Sequence, residues 1–128
     1  MHPLISEAMK KAAVVWLTLG VHEPYPVWCL WTGESLLVVS GPGEQPAPGL
    51  AEAATAVVTA RGDHGGSIVS WPATVERLKP DTDGWPAVAQ LAAKRLNSDP
   101  ADELVARWAT ECVVSRLTPT DDPLDLSR

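Results

Sequence analysis

Phenylalanine is absent from this 128-residue chain and tyrosine occurs once, so its aromatic content rests on six tryptophans. Basic residues are also scarce: 10 Lys and Arg stand against 16 Asp and Glu, giving a formal charge of -6 and a pI near 4.9. Nucleic acids and anionic membrane surfaces are held by clustered Lys and Arg. Here the basic residues are scattered, with short clusters only at Lys10-Lys11 and Lys94-Arg95, so neither partner is expected. The two cysteines, Cys29 and Cys112, each sit in an apolar run, where a thiol acts as a small hydrophobe and a structural disulfide is not expected. His2, His22 and His64 lack the spacing of zinc ligands, so no metal centre is expected. No apolar run approaches the ~20 residues of a membrane span. The first eleven residues do not read as a secretory signal. The expected location is the cytoplasm.

Several catalytic patterns are missing as well. Ser67 and Ser70 have no G-x-S-x-G setting, which excludes a hydrolase elbow. Gly41-Pro42-Gly43 precedes a proline-rich loop rather than a helix, which excludes a Rossmann or P-loop fingerprint. Asp121 and Asp122 fall in an acidic tail, where solvated charge is the ordinary reading.

What is present is the composition of a globular domain, 45% hydrophobic and 20% charged. One domain is expected over residues 1–128, with its core at about 11–119 and a loose tail at 120–128. Leu4, Ile5, Ala8 and Met9 recur at helical spacing and predict a short leading helix. From Ala12 to Leu19 nearly every residue is apolar, which predicts a strand covered on both faces. Gly20 to Pro24 breaks it, a second strand follows at Pro26–Trp31, and the Thr32-Gly33-Glu34 turn leads into a third at Ser35–Ser40. These three strands form a meander.

Three glycines and three prolines in Gly41–Gly49 mark a loop. Leu50–Ala54 suits one helical turn, and strands are expected at Thr55–Arg61 and Ser67–Leu78. In the second of these Val69, Trp71, Ala73 and Val75 share a face, and Pro72 marks an edge or bulge. Beyond Pro80 the period becomes helical. Asp83 is the expected cap of a helix through Leu96; Asp99 and Pro100 open a second helix that buries Leu104, Val105 and Trp108. A final strand is expected at Glu111–Leu117. This order predicts an α+β, mainly β fold: a small antiparallel split β-barrel with a helical hairpin before the last strand.

Leu17-Thr18-Leu19, Pro26-Val27-Trp28, the Gly33 turn into Leu36–Ser40, Leu50 and the strand at Ala56–Ala60 together resemble the split-barrel flavin-binding superfamily. That superfamily includes pyridoxamine phosphate oxidase-like proteins and actinobacterial deazaflavin-dependent reductases. The resemblance implies a homodimer with FMN or a deazaflavin in the dimer groove and hydride transfer to a small organic substrate. It implies cofactor contacts at Trp28, Ser40, Gly41, Gln45 and Leu50, the phosphate lying near Ser40 and the loop after it. Where the family carries Lys or Arg this loop carries Glu44, and an acid repels phosphate. Gln45 and the loop amides are the remaining donors. The alternative reading stays open: a non-enzymatic module on the same scaffold, without the phosphate anchor and without cofactor. Trp28 and Trp31 lie on opposite sides of a regular strand, so only one of them can stack on a bound ring; both also read as core or interface anchors.

Overall fold

The computed structural model describes residues 3–10, 12–20, 23–61, 68–94 and 100–120. Helix α1 (Pro3–Lys10) sinks Ile5 and Met9 into the core and leaves Leu4 exposed. Strands β1 (Val14–Thr18), β2 (Tyr25–Trp28), β3 (Leu30–Trp31), β4 (Leu36–Ser40), β5 (Thr55–Arg61) and β6 (Ile68–Leu78) follow, with one 3-10 turn at Leu50–Glu52. A second 3-10 turn at Trp85–Ala87 runs into α2 (Val88–Ala93), then α3 (Ala101–Glu111) and β7 (Val113–Pro119) complete the described chain.

All seven strands pair antiparallel in the order β2-β1-β5-β6-β7-β4-β3. The two ends of that order, β2 and β3, are neighbours in sequence, so the sheet curls into a nearly closed barrel. This is the α+β, mainly β architecture expected. The middle strand of the meander, predicted as continuous over Pro26–Trp31, is instead split at Cys29. Its first half bonds β1 (Val15 opposite Val27) and its second half bonds β4 (Leu30 opposite Leu37). A strand that must change partners to close a barrel needs a break in its ladder. Cys29 supplies it, its N–H donating to Ala13 O and its carbonyl accepting from Lys94 Nζ at 3.2 Å.

Two-sided burial belongs to β4, not to β1 as expected. All five residues of β4 are buried: Leu36 and Val38 face the barrel interior, Leu37 and Val39 face the helices. In β1 only Val15 and Leu17 are buried, while Val14 and Trp16 remain 52% and 36% exposed. The cause is placement of the helical layer. Helices α2 and α3 pack Val88, Leu91, Leu104 and Trp108 against β4 and β7, which covers the second face of β4.

Smaller differences have local reasons. Asp83 does not cap a helix; a turn held by Thr82 Oγ1 on Lys79 O intervenes, and Gly84 precedes the first helical residue without a side-chain cap. Pro100 is the cap position of α3 rather than its first residue, and its carbonyl accepts from Leu104 N. The last strand starts two residues late because α3 runs on through Glu111. Pro72 is not at an edge: it lies opposite Val57 of β5, and its carbonyl accepts from Thr120 N–H at 3.0 Å just beyond β7, so it is tolerated because only its missing N–H, not its carbonyl, is lost to the ladder. The expected turn at 62–66, the three histidines, Ser67, Leu96, Asp99 and the tail from Asp121 lie outside the described residues.

Trp71 fills the barrel interior edge-on to Trp31, at 5.9 Å between ring centroids, and Trp108 fills the core beneath the helices. Both are fully buried, yet their indole nitrogens differ: Trp71 Nε1 has no hydrogen-bond partner among the described residues, and Trp108 Nε1 donates to Glu44 Oε2 at 3.1 Å. A hydrogen bond to a charged group contributes about 1.5–3 kcal/mol, whereas a buried donor left unpaired costs about 1–3 kcal/mol of desolvation. Trp108→Phe should therefore destabilise by about 1–2 kcal/mol more than Trp71→Phe in chemical denaturation; equal losses would show that the Glu44 bond contributes nothing.

Candidate functional site

The loop that follows β4 is the place to test the implied site, and its conformation is set by glycine. Gly41 adopts φ +133° with its Cα against Cys112, where a Cβ would come within 3.2 Å of the Cys112 backbone; Gly43 adopts φ +78° beneath the Arg107 guanidinium. Only glycine takes such angles without strain. The loop then closes on itself, Glu44 N–H donating to Gly41 O at 2.9 Å and Gly41 N–H to Gln45 O at 3.2 Å.

The loop is fixed to its surroundings by two side chains. Gln45 Oε1 accepts from Trp28 N–H at 2.8 Å, while Gln45 Nε2 donates to Trp28 O at 2.9 Å and Val39 O at 3.1 Å. Both amide hydrogens of Gln45 thus tie β2 to β4. Glu44 turns inward, its side chain fully buried, where it takes an ion pair from Arg107 and the hydrogen bond from Trp108. Burying a carboxylate requires such compensation, and Arg107 reaches it from 63 positions away in the chain.

Of the five residues implied as cofactor contacts, four meet here. Trp28 is half-buried at the end of β2, its ring 6.4 Å from that of Trp108. Ser40 is 8% exposed and paired opposite Val113; Gly41 and Gln45 follow it. Leu50 is not brought to this surface: it is fully buried and belongs to the barrel core. Trp28 and Trp31 do face opposite sides, one toward the helices and the other toward Trp71 in the barrel. The sequence reading missed Arg107, Trp108 and Cys112. Its one available signal was Glu44, since an acid in an apolar loop demands a cation somewhere in the fold.

Two shallow grooves border the loop. One, of about 520 Å³, is walled by Glu23, Pro24, Tyr25, Pro26, Pro46 and Pro48, and Tyr25 Oη donates to Pro48 O across its floor at 2.9 Å. Burial pushes the Tyr25 hydroxyl pKa up. The other, of about 640 Å³, is lined by small residues from Gly20 and Gly49 to Thr55, with Glu52 as its one ionisable group. Neither groove has a basic side chain among the described residues.

These observations bear on the implied cofactor. A flavin nucleotide carries a phosphate of about -1.5 to -2 charge, which is ordinarily held by Arg, Lys or free amides. Here Gln45 has spent its donors on the backbone, the Gly41 and Glu44 amides bond within the loop, Arg107 is engaged by Glu44, and each groove presents an acid. The phosphate end does not fit the residues present.

The cysteines do not supply a nucleophile either. Burial pushes the Cys29 thiol from 9.0 up to about 12, partly opposed by Lys94, and burial also raises Cys112. At pH 8 a thiol of that pKa is about one part in ten thousand thiolate. A colorimetric disulfide reagent should therefore leave both thiols untouched in the native protein and titrate two after denaturation; rapid native labelling would contradict the buried placement. A raised thiol pKa means the unfolded chain loses its proton first. Stability from Cys29 is thus full below pH 9 and declines as pH rises toward 12.

No protein-family model matches the chain, and no curated protein matches it in sequence. In three dimensions it is similar to the heme storage protein HutZ of Vibrio cholerae, with TM-score 0.65 and 14% identity over 96% of this chain and 92% of that one. It is also similar to an F420 reductase (TM-score 0.62, 18% identity, 91% and 93% covered). An FAD-binding protein of Mesorhizobium loti gives TM-score 0.62 and 19% identity over 94% and 90%. At such identities the likeness establishes the fold, which is the split barrel that the meander, the loop and the closing strand implied.

Proposed function

We propose that this chain is a homodimeric split-barrel protein that binds the ring system of a flavin or deazaflavin, as an oxidoreductase-like member of that structural class. The carrying observation is the barrel itself, with Trp28, Ser40, Gly41 and Gln45 gathered at the loop after β4. The structural likeness to an F420 reductase and an FAD-binding protein supports it. The chemistry proposed is that of an organic cofactor, whose rings do the redox work while the protein positions them. No described helix is long and apolar enough to cross a membrane. Free buried thiols suit the reducing cytoplasm, which is the proposed location.

The dimer is proposed through the outer face of β1 and its neighbours. Val14 and Trp16 of β1 share that face with Thr59 of β5 and Ile68 of β6, following the Trp16–Thr59, Thr59–Ser70 and Arg61–Ile68 registers, and Ile68 is 58% exposed. A partly exposed tryptophan flanked by the exposed Val14 and Ile68 is the kind of anchor found at interface cores.

A second reading, a non-enzymatic module on the same scaffold, is favoured by the engaged Gln45 and the paired Glu44. The visible absorption spectrum of the protein mixed with a flavin or a deazaflavin separates the two. Shifted, resolved bands are expected for a bound ring; a spectrum equal to the sum of the separate components would favour the non-enzymatic module.

A further inference from the structure

The strand order places β2 at one end of the sheet, so one of its edges is bonded by no other described strand. Cys29 N–H donates to Ala13 O, and from there the alternation of an antiparallel pair turns Val27 and Tyr25 toward β1 and the backbone groups of Trp28 and Pro26 outward. Proline has no N–H, so Trp28 carries the donor of that outer edge. The end of β4 is short of a neighbour in the same place. Its ladder with β3 stops at Leu37, and continuing that register would set Trp28 opposite Val39.

Gln45 stands between those two residues. Its carboxamide accepts from Trp28 N–H at 2.8 Å and donates to Trp28 O at 2.9 Å and to Val39 O at 3.1 Å. A carboxamide is the same group as a peptide unit, so Gln45 bonds Trp28 by the two-bond pattern that a residue of an adding strand would use. The segment 45–48 is fastened at both ends, by Gly41 N–H on Gln45 O at 3.2 Å and by Tyr25 Oη on Pro48 O at 2.9 Å. Between the fastenings, Pro46 and Pro48 face Pro24 and Pro26 across the groove. These four have no N–H to offer each other or an incoming strand.

We propose that the segment 45–48 is an autoinhibitory strap: it occupies a strand-acceptor edge made by β2 and the end of β4, and Gln45 is its latch. The partner it holds off is an extended, proline-free segment of a second copy of this chain, since an open strand edge is a template for pairing between copies. Association through the outer face of β1 is a separate route and is left open.

The test uses the Trp16→Glu chain as background, carrying either Gln45→Ala or Gln45→Met, which keeps the side chain's length and loses its amide. Light scattering from low to high micromolar protein should show the mass of both variants rising at least about twofold more than that of the background. Adding Pro26→Val, which restores an outward N–H, should strengthen association by roughly tenfold. In the wild-type chain, amide hydrogen exchange at Trp28 should be as slow as at Val27 in the β1–β2 ladder, and at least about tenfold faster in dilute Gln45→Met. The readout is the change made by Gln45 in a fixed background, so it holds whether or not Trp16→Glu has split the proposed dimer. Masses that follow the background in every variant would overturn the strap, as would fast exchange at Trp28 in the wild type. Loss of folding in both Gln45 variants would overturn it too, by making Gln45 a support of the fold rather than a latch.

Discussion

Replacing Arg107 by methionine is expected to cost about 3 kcal/mol of stability and to lower the melting temperature by on the order of 10 °C. The reason is that Glu44, whose side chain has no solvent exposure, would lose the guanidinium that its buried carboxylate pairs with. Loss of one partner of a buried pair costs about 3–5 kcal/mol, and the lower end applies because Arg107 itself is 32% exposed. The control is Arg116 with Glu76, an ion pair of 2.7 Å whose carboxylate is 54% exposed. Removing that one should cost under about 1 kcal/mol. The same ion-pair chemistry thus gives two outcomes, decided by burial. Adding Glu44→Gln to Arg107→Met should recover most of the loss, because the charge is gone while Trp108 Nε1 keeps an acceptor. Denaturant titration of the four proteins of this cycle measures the coupling, and additive losses would mean that the pair does not hold the loop.

Trp16→Glu should convert the proposed dimer to a monomer, weakening association at least about a hundredfold. A central tryptophan of an interface typically carries 2 kcal/mol or more, and an unpaired carboxylate in its place adds a desolvation penalty. The fold should survive, because Trp16 points away from the core residues Val15 and Leu17 that hold β1 in the barrel. Light scattering with circular dichroism on the same samples reads both: halved mass with unchanged strand signal is expected. A wild-type chain that is already monomeric at micromolar concentration would remove the dimer from the account.

Much of the fold was legible because it is written in local period. The helical spacing of Ile5 and Met9, the alternation through Val69, Trp71 and Ala73, and the glycines and prolines of the 41–49 loop each announce their structure within a few residues. The opposite facing of Trp28 and Trp31 followed from strand parity alone. What was not legible depends on pairs distant in sequence. The break at Cys29 comes from barrel closure, which joins β2 to β1 and β3 to β4. The exposure of Val14 on β1 and the double cover of β4 depend on where α2 and α3 land, and hydrophobic runs of similar composition cannot distinguish them.

The site was the least legible part for the same reason. Glu44 read as a charge repelling phosphate, whereas α3 folds Arg107 and Trp108 onto it. Gln45 read as a free donor, whereas the turn at Gly41 and Gly43 presents its amide to Trp28 and Val39. Leu50 read as a contact and is core. In each case the residue's type was informative and its direction was not.

A fluorescence anisotropy titration of riboflavin with the wild-type chain and with Trp16→Glu tests most directly whether a paired split barrel holds a flavin-class ring. Saturable, slowed rotation of the ring in the wild-type dimer, lost in the monomeric variant, is the predicted result. Riboflavin and its deazaflavin counterpart both tumbling freely at saturating wild-type protein would contradict it.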